Sequence, residues 1–325
     1  MKAIQITEFG GPEVMKLIDC EDPIVGEGQE IIDVTAIGIN YADTHQTENS
    51  YLSPQKLPLI PGIEVVGTTA AGVRVLAPID GGGYSQKAVA HSAALIPIPD
   101  SVTDQQALAM LVQGSTAWHI LKTVGHLKAG ESVVVHAAAG GVGSVAIQLA
   151  KMWGAKVIAV ASTEKKRALA KSLGADEVVD STIDNLGDAI KAANGGKRVN
   201  IVLEMVGGKT FDQSLEILAP FGRLVTYGMA SRTAPSLIQP ASLMGGSKTI
   251  SGFWLSHCFG KKELMNDVIA QLFKLIEVGK LKPVIGEVFP LSQATLAHKS
   301  MLARETMGKI TLNPMESLGD FCITV

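Results

Sequence analysis

A chain of 325 residues, 46% hydrophobic and 18% charged, is long and apolar enough for two packed domains or one large one, which argues against wholesale disorder. Its 28 basic and 31 acidic residues leave a formal charge of −3, and the densest basic cluster is only Lys165, Lys166 and Arg167, too small for a nucleic-acid surface. The three cysteines (Cys20, Cys258, Cys322) are odd in number, far apart and free of any C-x-x-C pair, so neither a disulfide framework nor a structural zinc knuckle is indicated.

The N-terminal "MKAIQITEFGG" lacks the apolar core of a signal peptide, and no run of eighteen apolar residues follows; a cytoplasmic protein without membrane association is expected. Over the first hundred residues, Pro and Gly punctuation ("GGPEV", "EDPIVGEG", "LPLIPGIEVVG", "PIDGGGYS", "LIPIPDS") separates short extended runs, the pattern of an irregular β-rich domain. From 131 to 254 the rhythm changes. Short β-branched runs ("SVVVH", "KVIAVA", "DEVVD", "NIVLEMV", "RLVTYG", "KTISGFW") alternate with segments of helical spacing such as "SVAIQLAKMWG", "TEKKRALAKSLG" and "TFDQSLEILAPFG", each closed by glycine. Nearly all-apolar strands alternating with helices predict a parallel sheet covered on both faces, hence an α/β, Rossmann-type doubly wound domain. A helix ("KKELMNDVIAQLFKLIEVGK"), an extended piece, another helix ("SQATLAHKSMLAR") and a strand ("GKITLNP") complete the chain, and the tail 315–325 carries no motif. The expected division is 1–117 with 255–325 as a catalytic domain and 118–254 as the dinucleotide-binding domain.

The stretch "HAAAGGVG" falls between the strand "ESVVV" and the helix "SVAIQLAKMWG". Anchored on Gly143 it reads Ala138-x-Gly140-x-x-Gly143, a dinucleotide-binding turn with Ala at its first position. Gly140 lets the backbone approach a pyrophosphate, Gly143 lets helix and sheet pack closely, and the helix start directs unpaired N–H groups at the phosphates. Ala138, Gly140, Gly141, Val142 and Gly143 are therefore the expected cradle. By contrast, "VGGKT" (206–210) lacks the glycine that a P-loop needs at 203, where Leu203 stands. The second strand runs into "VASTEKKR", with Ser162 and Lys166 where an NAD site usually presents a carboxylate for the ribose 2′-hydroxyl. A lysine there favours a 2′-phosphate, so NADPH is the expected cofactor.

In the order "GGPEV", "AIGINYADTH", "PGIEVVG", "GGYSQ", "QGSTAW", "HAAAGGVG", "GAKVIAVASTEKK", "LGADEVVD" and "GKITLNP", the chain resembles the zinc-free quinone oxidoreductase group of the medium-chain dehydrogenase/reductases. The resemblance implies a GroES-like catalytic domain beside the Rossmann domain. Zinc alcohol dehydrogenases of this superfamily carry a cysteine ligand where Asn40 stands and a histidine ligand where Ile63 stands. Neither residue here replaces a thiolate or an imidazole, so no metal is expected. His45 reads as a hydrogen-bonded structural residue. The resemblance further implies that Asn40 and Tyr51 lie nearest the substrate and that Thr116 lies near the nicotinamide amide or phosphates. It implies that Gly207 and Gly228 border the nicotinamide ribose and that Lys309 returns toward the cofactor cleft. Two departures stand out. Asp180-Ser181 replaces the family's Asn-Tyr pair, removing a tyrosine that helps hold the 2′-phosphate, and the loop "TTAAGVRVLAPID" is shortened.

The expected activity is NADPH-dependent hydride transfer to a quinone or conjugated enone, whose conjugation spreads the arriving charge without a metal. An enoyl-thioester or alkenal double-bond reductase is the alternative in the same class, with Lys248, Lys261 and Lys262 as candidate contacts to carrier phosphates. A non-catalytic NADPH-binding structural or RNA-binding role is the alternative from another class, without a basic or aromatic-interleaved surface to support it. A small-molecule substrate, no nucleic acid, no membrane partner and a homodimer through the sixth strand "KTISGFW" complete the expectations.

Overall fold

The computed structural model describes residues 1–50 and 52–315. The chain divides into two compact units, 1–112 with 260–325 and 113–259. The sequence places the junctions at 117/118 and 254/255. The first falls earlier because the Ser115–Leu121 helix packs on the Gly141–Met152 helix and so groups with the central unit.

The central unit is built on a six-stranded, wholly parallel sheet. Its spatial order is Glu177–Asp180, Lys156–Ala161, Ser132–Val135, Val199–Glu204, Leu218–Thr226, Thr249–Gly252. Counted along the chain this is 3-2-1-4-5-6, the order of a dinucleotide-binding fold, and it reverses direction between Ser132–Val135 and Val199–Glu204. Val133 pairs with Val157 on one side and Ile201 on the other, which fixes the register at that switch point. Every residue of "SVVV" is buried, as a strand covered on both faces requires. Val134, Ile158, Val160, Val202, Leu224 and Phe211 belong to the core beneath it. The helix expected over "TFDQSLEILAPFG" is shorter than its pattern, Gly208–Glu216. Pro220 has no N–H to continue it, and Leu218 already pairs with Val199 as the start of the next strand.

The other unit holds a seven-stranded sheet. Its path is Ile285–Pro290, Lys309–Asn313, Gln29–Gly38, Glu64–Thr69, Arg74–Pro78, Ile96–Pro97, with Lys87–His91 added to Gln29–Gly38. Along Gln29–Gly38, buried Ile32, Val34 and Ala36 alternate with exposed Asp33 and Thr35, the period-2 signature of a strand with one covered face. Ile4, Ile32, Ile37, Val65, Tyr84, Phe289 and Leu312 fill its core. The C-terminal "GKITLNP" contributes an inner strand, paired parallel to Ile285–Pro290 and antiparallel to Gln29–Gly38. This is how a segment hundreds of residues away in sequence comes to lie beside Asn40. The short Tyr41–Thr47 helix, which periodicity does not reveal, begins immediately after it.

Candidate active site

The carboxyl end of the first parallel strand runs directly into the glycine turn. Ala137 adopts a left-handed φ of 47° and its carbonyl accepts from Gly140 N–H at 2.8 Å, closing the turn before the Gly141–Met152 helix begins. A Cβ at Gly143 would stand 2.5 Å from the Ala137 carbonyl oxygen and 2.8 Å from the Ala138 Cα, both backbone, so only glycine allows this approach of helix to strand. Ala138 is fully buried beneath the turn, while Gly140, Gly141 and Val142 are partly exposed. Gly140 is the N-cap and supplies no side-chain cap, so the first-turn N–H groups keep their capacity for an anion. An anionic pyrophosphate fits this cradle.

Beside it, the fourth strand ends in Glu204, wholly buried. Its Oε1 accepts from Val206 N–H (2.7 Å) and Gly207 N–H (2.9 Å), while Oε2 is enclosed without a partner among the described residues. Burial pushes the carboxyl up from its ordinary range, against the pull of those two N–H groups. The carboxylate thereby shapes the turn at Gly207, whose φ of 84° suits glycine and which caps the Gly208–Glu216 helix. Gly228 lies exposed just past the fifth strand, its Cβ direction facing Met205. Thr116 sits on the Ser115–Leu121 helix with 7% exposure. The glycine turn, Gly207 and Gly228 thus share the carboxyl edge of the sheet about its switch point, where ligands of such folds bind. His136, the residue after the first strand, is buried with Nε2 3.0 Å from Ser214 Oγ, and burial pushes its pKa down to about 4.

At the end of the second strand, Thr163 caps the Glu164–Ser172 helix by accepting from Lys166 N–H (3.3 Å). Ser162 and Lys166 are partly exposed there. Arg167, which the sequence groups with them, is tied instead to Asp180 (2.9 Å) and the Ala161 carbonyl (3.2 Å). Asp180, the residue that departs from the family pair, is thereby neutralised. Hydrogen bonds from Thr182 and the charge of Arg167 hold its carboxyl below the usual range.

The second constellation lies wholly within the GroES-like unit. Asn40 precedes the Tyr41–Thr47 helix, 3% exposed, and its Nδ2 donates to Glu64 Oε1 at 2.7 Å. Lys309, expected to return toward the cofactor cleft, has its ammonium enclosed: with no exposure, it donates to the Ile39 carbonyl (3.1 Å) and Asn40 Oδ1 (3.1 Å) and forms an ion pair with equally buried Glu64. The strand order sets the first residue of Lys309–Asn313 inside the sheet instead of at its rim. Val112 N–H completes the set, donating to Glu64 Oε2 at 3.2 Å. Asn40 and Glu64 therefore already hold a fixed cation. A divalent ion placed here would meet an ammonium group, so the donor set does not fit zinc.

Beneath Asn40 runs a buried chain that motif reading missed, although "GIN-x-x-D" contains its first member. Asn40 N–H donates to Asp43 Oδ2 (2.8 Å), the Tyr84 hydroxyl donates to the same oxygen (2.9 Å), and Tyr84 Oη is also 2.9 Å from His298 Nε2. Burial pushes Asp43 up to about 7 and His298 down to about 4. His45 bonds Ser50 Oγ through Nδ1 at 2.9 Å, a structural role. Tyr51, expected beside the substrate, lies outside the described residues.

A 3-2-1-4-5-6 parallel sheet with a glycine turn at its switch point, inserted into a GroES-like β unit, defines a medium-chain dehydrogenase/reductase. Residues 26–100 match the alcohol dehydrogenase GroES-like domain, and residues 141–274 match the family model described as zinc-binding dehydrogenase. The quinone oxidoreductase of Lama guanicoe is 34% identical over 96% of this chain and 97% of its own. The Escherichia coli quinone oxidoreductase complexed with NADPH superposes with a TM-score of 0.91 at 30% identity, over 97% of this chain and all of that one. A mycobacterial protein complexed with NADPH gives a TM-score of 0.91 at 35% identity, over 97% and 100%. The chain belongs to the quinone oxidoreductase family of these enzymes.

Proposed function

We propose that the protein is an NADPH-dependent, metal-independent reductase that transfers hydride to quinones or conjugated enones. The observation that carries the reading is the Gly140–Gly143 turn at the switch point, with its close helix–strand approach and uncapped helix start. Lys166 and Ser162 at the end of the second strand support the 2′-phosphate form of the cofactor. The Lys309 ammonium between Asn40 and Glu64 supports chemistry without zinc.

NADPH supplies the hydride when bound. The chain's own residues do the rest. The first-turn N–H groups of the Gly141–Met152 helix hold the pyrophosphate, and Lys166 pairs with the 2′-phosphate. Lys309 and Glu64 fix the orientation of the Asn40 carboxamide by taking its oxygen and one of its two N–H groups. The second N–H then donates to the substrate oxygen, where negative charge accumulates as the acceptor carbon is reduced. Tyr51 supplies the proton to that oxygen. A homodimer forms through Thr249–Gly252, which ends the parallel sheet and, among the described residues, is paired on one side only. The cytoplasm is the proposed location; among the described residues Cys20 and Cys258 are not disulfide-bonded, which suits a reducing compartment.

Oxidation of NADPH and NADH at 340 nm, with a benzoquinone, a naphthoquinone, a short enal and crotonyl-CoA and with EDTA present, tests the reading. NADPH-selective turnover of a quinone or the enal that survives EDTA is the expected result. Turnover confined to the thioester transfers the protein to the enoyl-thioester reductases, and no turnover despite NADPH binding points to a non-catalytic role.

A further inference from the structure

Gln113 lies in a five-residue π-helical turn, Met110–Gly114, a rare geometry that recurs at functional sites. Its side chain is 9% exposed. The carboxamide lies directly over Gly141, the first residue of the 12-residue Gly141–Met152 helix: a Cβ at Gly141 would overlap its carbon, oxygen and nitrogen. Gln113 Oε1 is enclosed and has no hydrogen-bond partner among the described residues. An enclosed carbonyl oxygen without a donor is unfavourable in a folded protein, and this one lies against the first residue of the helix whose start forms the glycine cradle.

The chemistry of that ligand follows from the surroundings. Phosphate oxygens only accept hydrogen bonds and are served by the helix N–H groups, so they do not satisfy a carbonyl oxygen. The adenosine half of the cofactor is directed toward Ser162 and Lys166, at the end of the neighbouring Lys156–Ala161 strand. The remaining donors are the hydroxyls and the carboxamide N–H of the nicotinamide-riboside half. Resting on the NADPH reading above, we infer that Gln113 Oε1 accepts a hydrogen bond from that half of the cofactor. Gly141 is then glycine because its missing side chain admits the Gln113 carboxamide to the pyrophosphate turn.

The test is equilibrium binding to the full chain, followed by nucleotide fluorescence or calorimetry, for wild type, Gln113→Met and Gln113→Asn. The ligands are NADPH, its 3-acetylpyridine analogue, which lacks the amide N–H, and 2′,5′-ADP, which carries only the adenosine half. Thermal melts without ligand establish that both variants fold. The expected result is about fivefold weaker NADPH binding in both variants, with 2′,5′-ADP binding unchanged. An equal loss with the acetylpyridine analogue assigns the donor to a ribose hydroxyl; no loss with it assigns the donor to the carboxamide. Unchanged binding of every ligand, or equal weakening of NADPH and 2′,5′-ADP, overturns the inference while leaving the NADPH reading intact. A wild-type protein that does not bind NADPH overturns both.

Discussion

Replacing Lys309 by Met removes one partner of an ion pair in which neither side chain has any exposure. Glu64 would remain enclosed, with only Asn40 Nδ2 and Val112 N–H to stabilise its charge. Stripping one partner from a pair buried this deeply costs about 3–5 kcal/mol, because the remaining charge has lost its water and gained nothing in return. At about 2–4 °C per kcal/mol for a unit of this size, the melting temperature should fall by roughly 6–20 °C. The second variant decides the cause. In Lys309→Met with Glu64→Gln the stranded charge is gone, and the amide still accepts from Asn40 or Val112. The double variant should recover at least about 2 kcal/mol relative to Lys309→Met alone. Chemical denaturation at neutral pH measures all three proteins. A single variant that loses less than about 1 kcal/mol, as an exposed pair would, or a double variant less stable than the single, refutes the reasoning.

Gly143→Ala drives a Cβ to 2.5 Å from the Ala137 carbonyl oxygen, so the helix must retreat from the strand, lowering stability by about 1–3 kcal/mol. NADPH titration should show at least about tenfold weaker binding, and an unchanged affinity would refute the role of the turn. Lys166→Ala should weaken NADPH by about 5–30-fold and leave NADH unchanged, as measured by the ratio of the two KM values. Asn40→Ala should lower kcat by about 10²-fold or more with little change in NADPH affinity, read from steady-state kinetics and direct binding. Stability should also depend on pH. Asp43, pushed up to about 7, holds a proton that the unfolded chain releases above about 4, so its contribution is lost as pH rises through that window. His136 and His298, pushed down to about 4, refuse protons that the unfolded chain takes up below about 6.5, so theirs are lost as pH falls. Two histidines against one carboxyl leave a net gain of about 1 kcal/mol per pH unit from about 5 to 6, fading toward about 6.5 as the unfolded histidines lose their protons. In His136→Gln the remaining two oppose one another; a urea-melt profile that stays as steep refutes the assignment.

The doubly wound unit is legible in the sequence because its signals are local. "SVVVH" followed by "HAAAGGVG" and an apolar-periodic helix states strand, turn and helix in order, and the closing glycines mark most helix ends. "TFDQSLEILAPFG" shows the limit: helical spacing persists past Glu216, but pairing of Leu218 with Val199 claims the residues for a strand. The resemblance points to Asn40 by sequence position alone. What holds it does not appear in any window of the chain. Lys309 reads as a strand-edge cation until the strand order lays Lys309–Asn313 against Gln29–Gly38 and encloses its ammonium with Glu64, 245 residues away. Gln113 likewise reads as one polar residue in "QGSTAW", and only the π-helical turn and the bare Cα of Gly141 make its oxygen an unpaired acceptor. By itself the sequence determined most elements of the doubly wound unit and its glycine turn, since hydrophobic period and glycine sterics act over a few residues. Which polar groups are enclosed, and with what partners, was decided by the tertiary structure, because burial and hydrogen-bond satisfaction depend on segments the chain brings together only on folding.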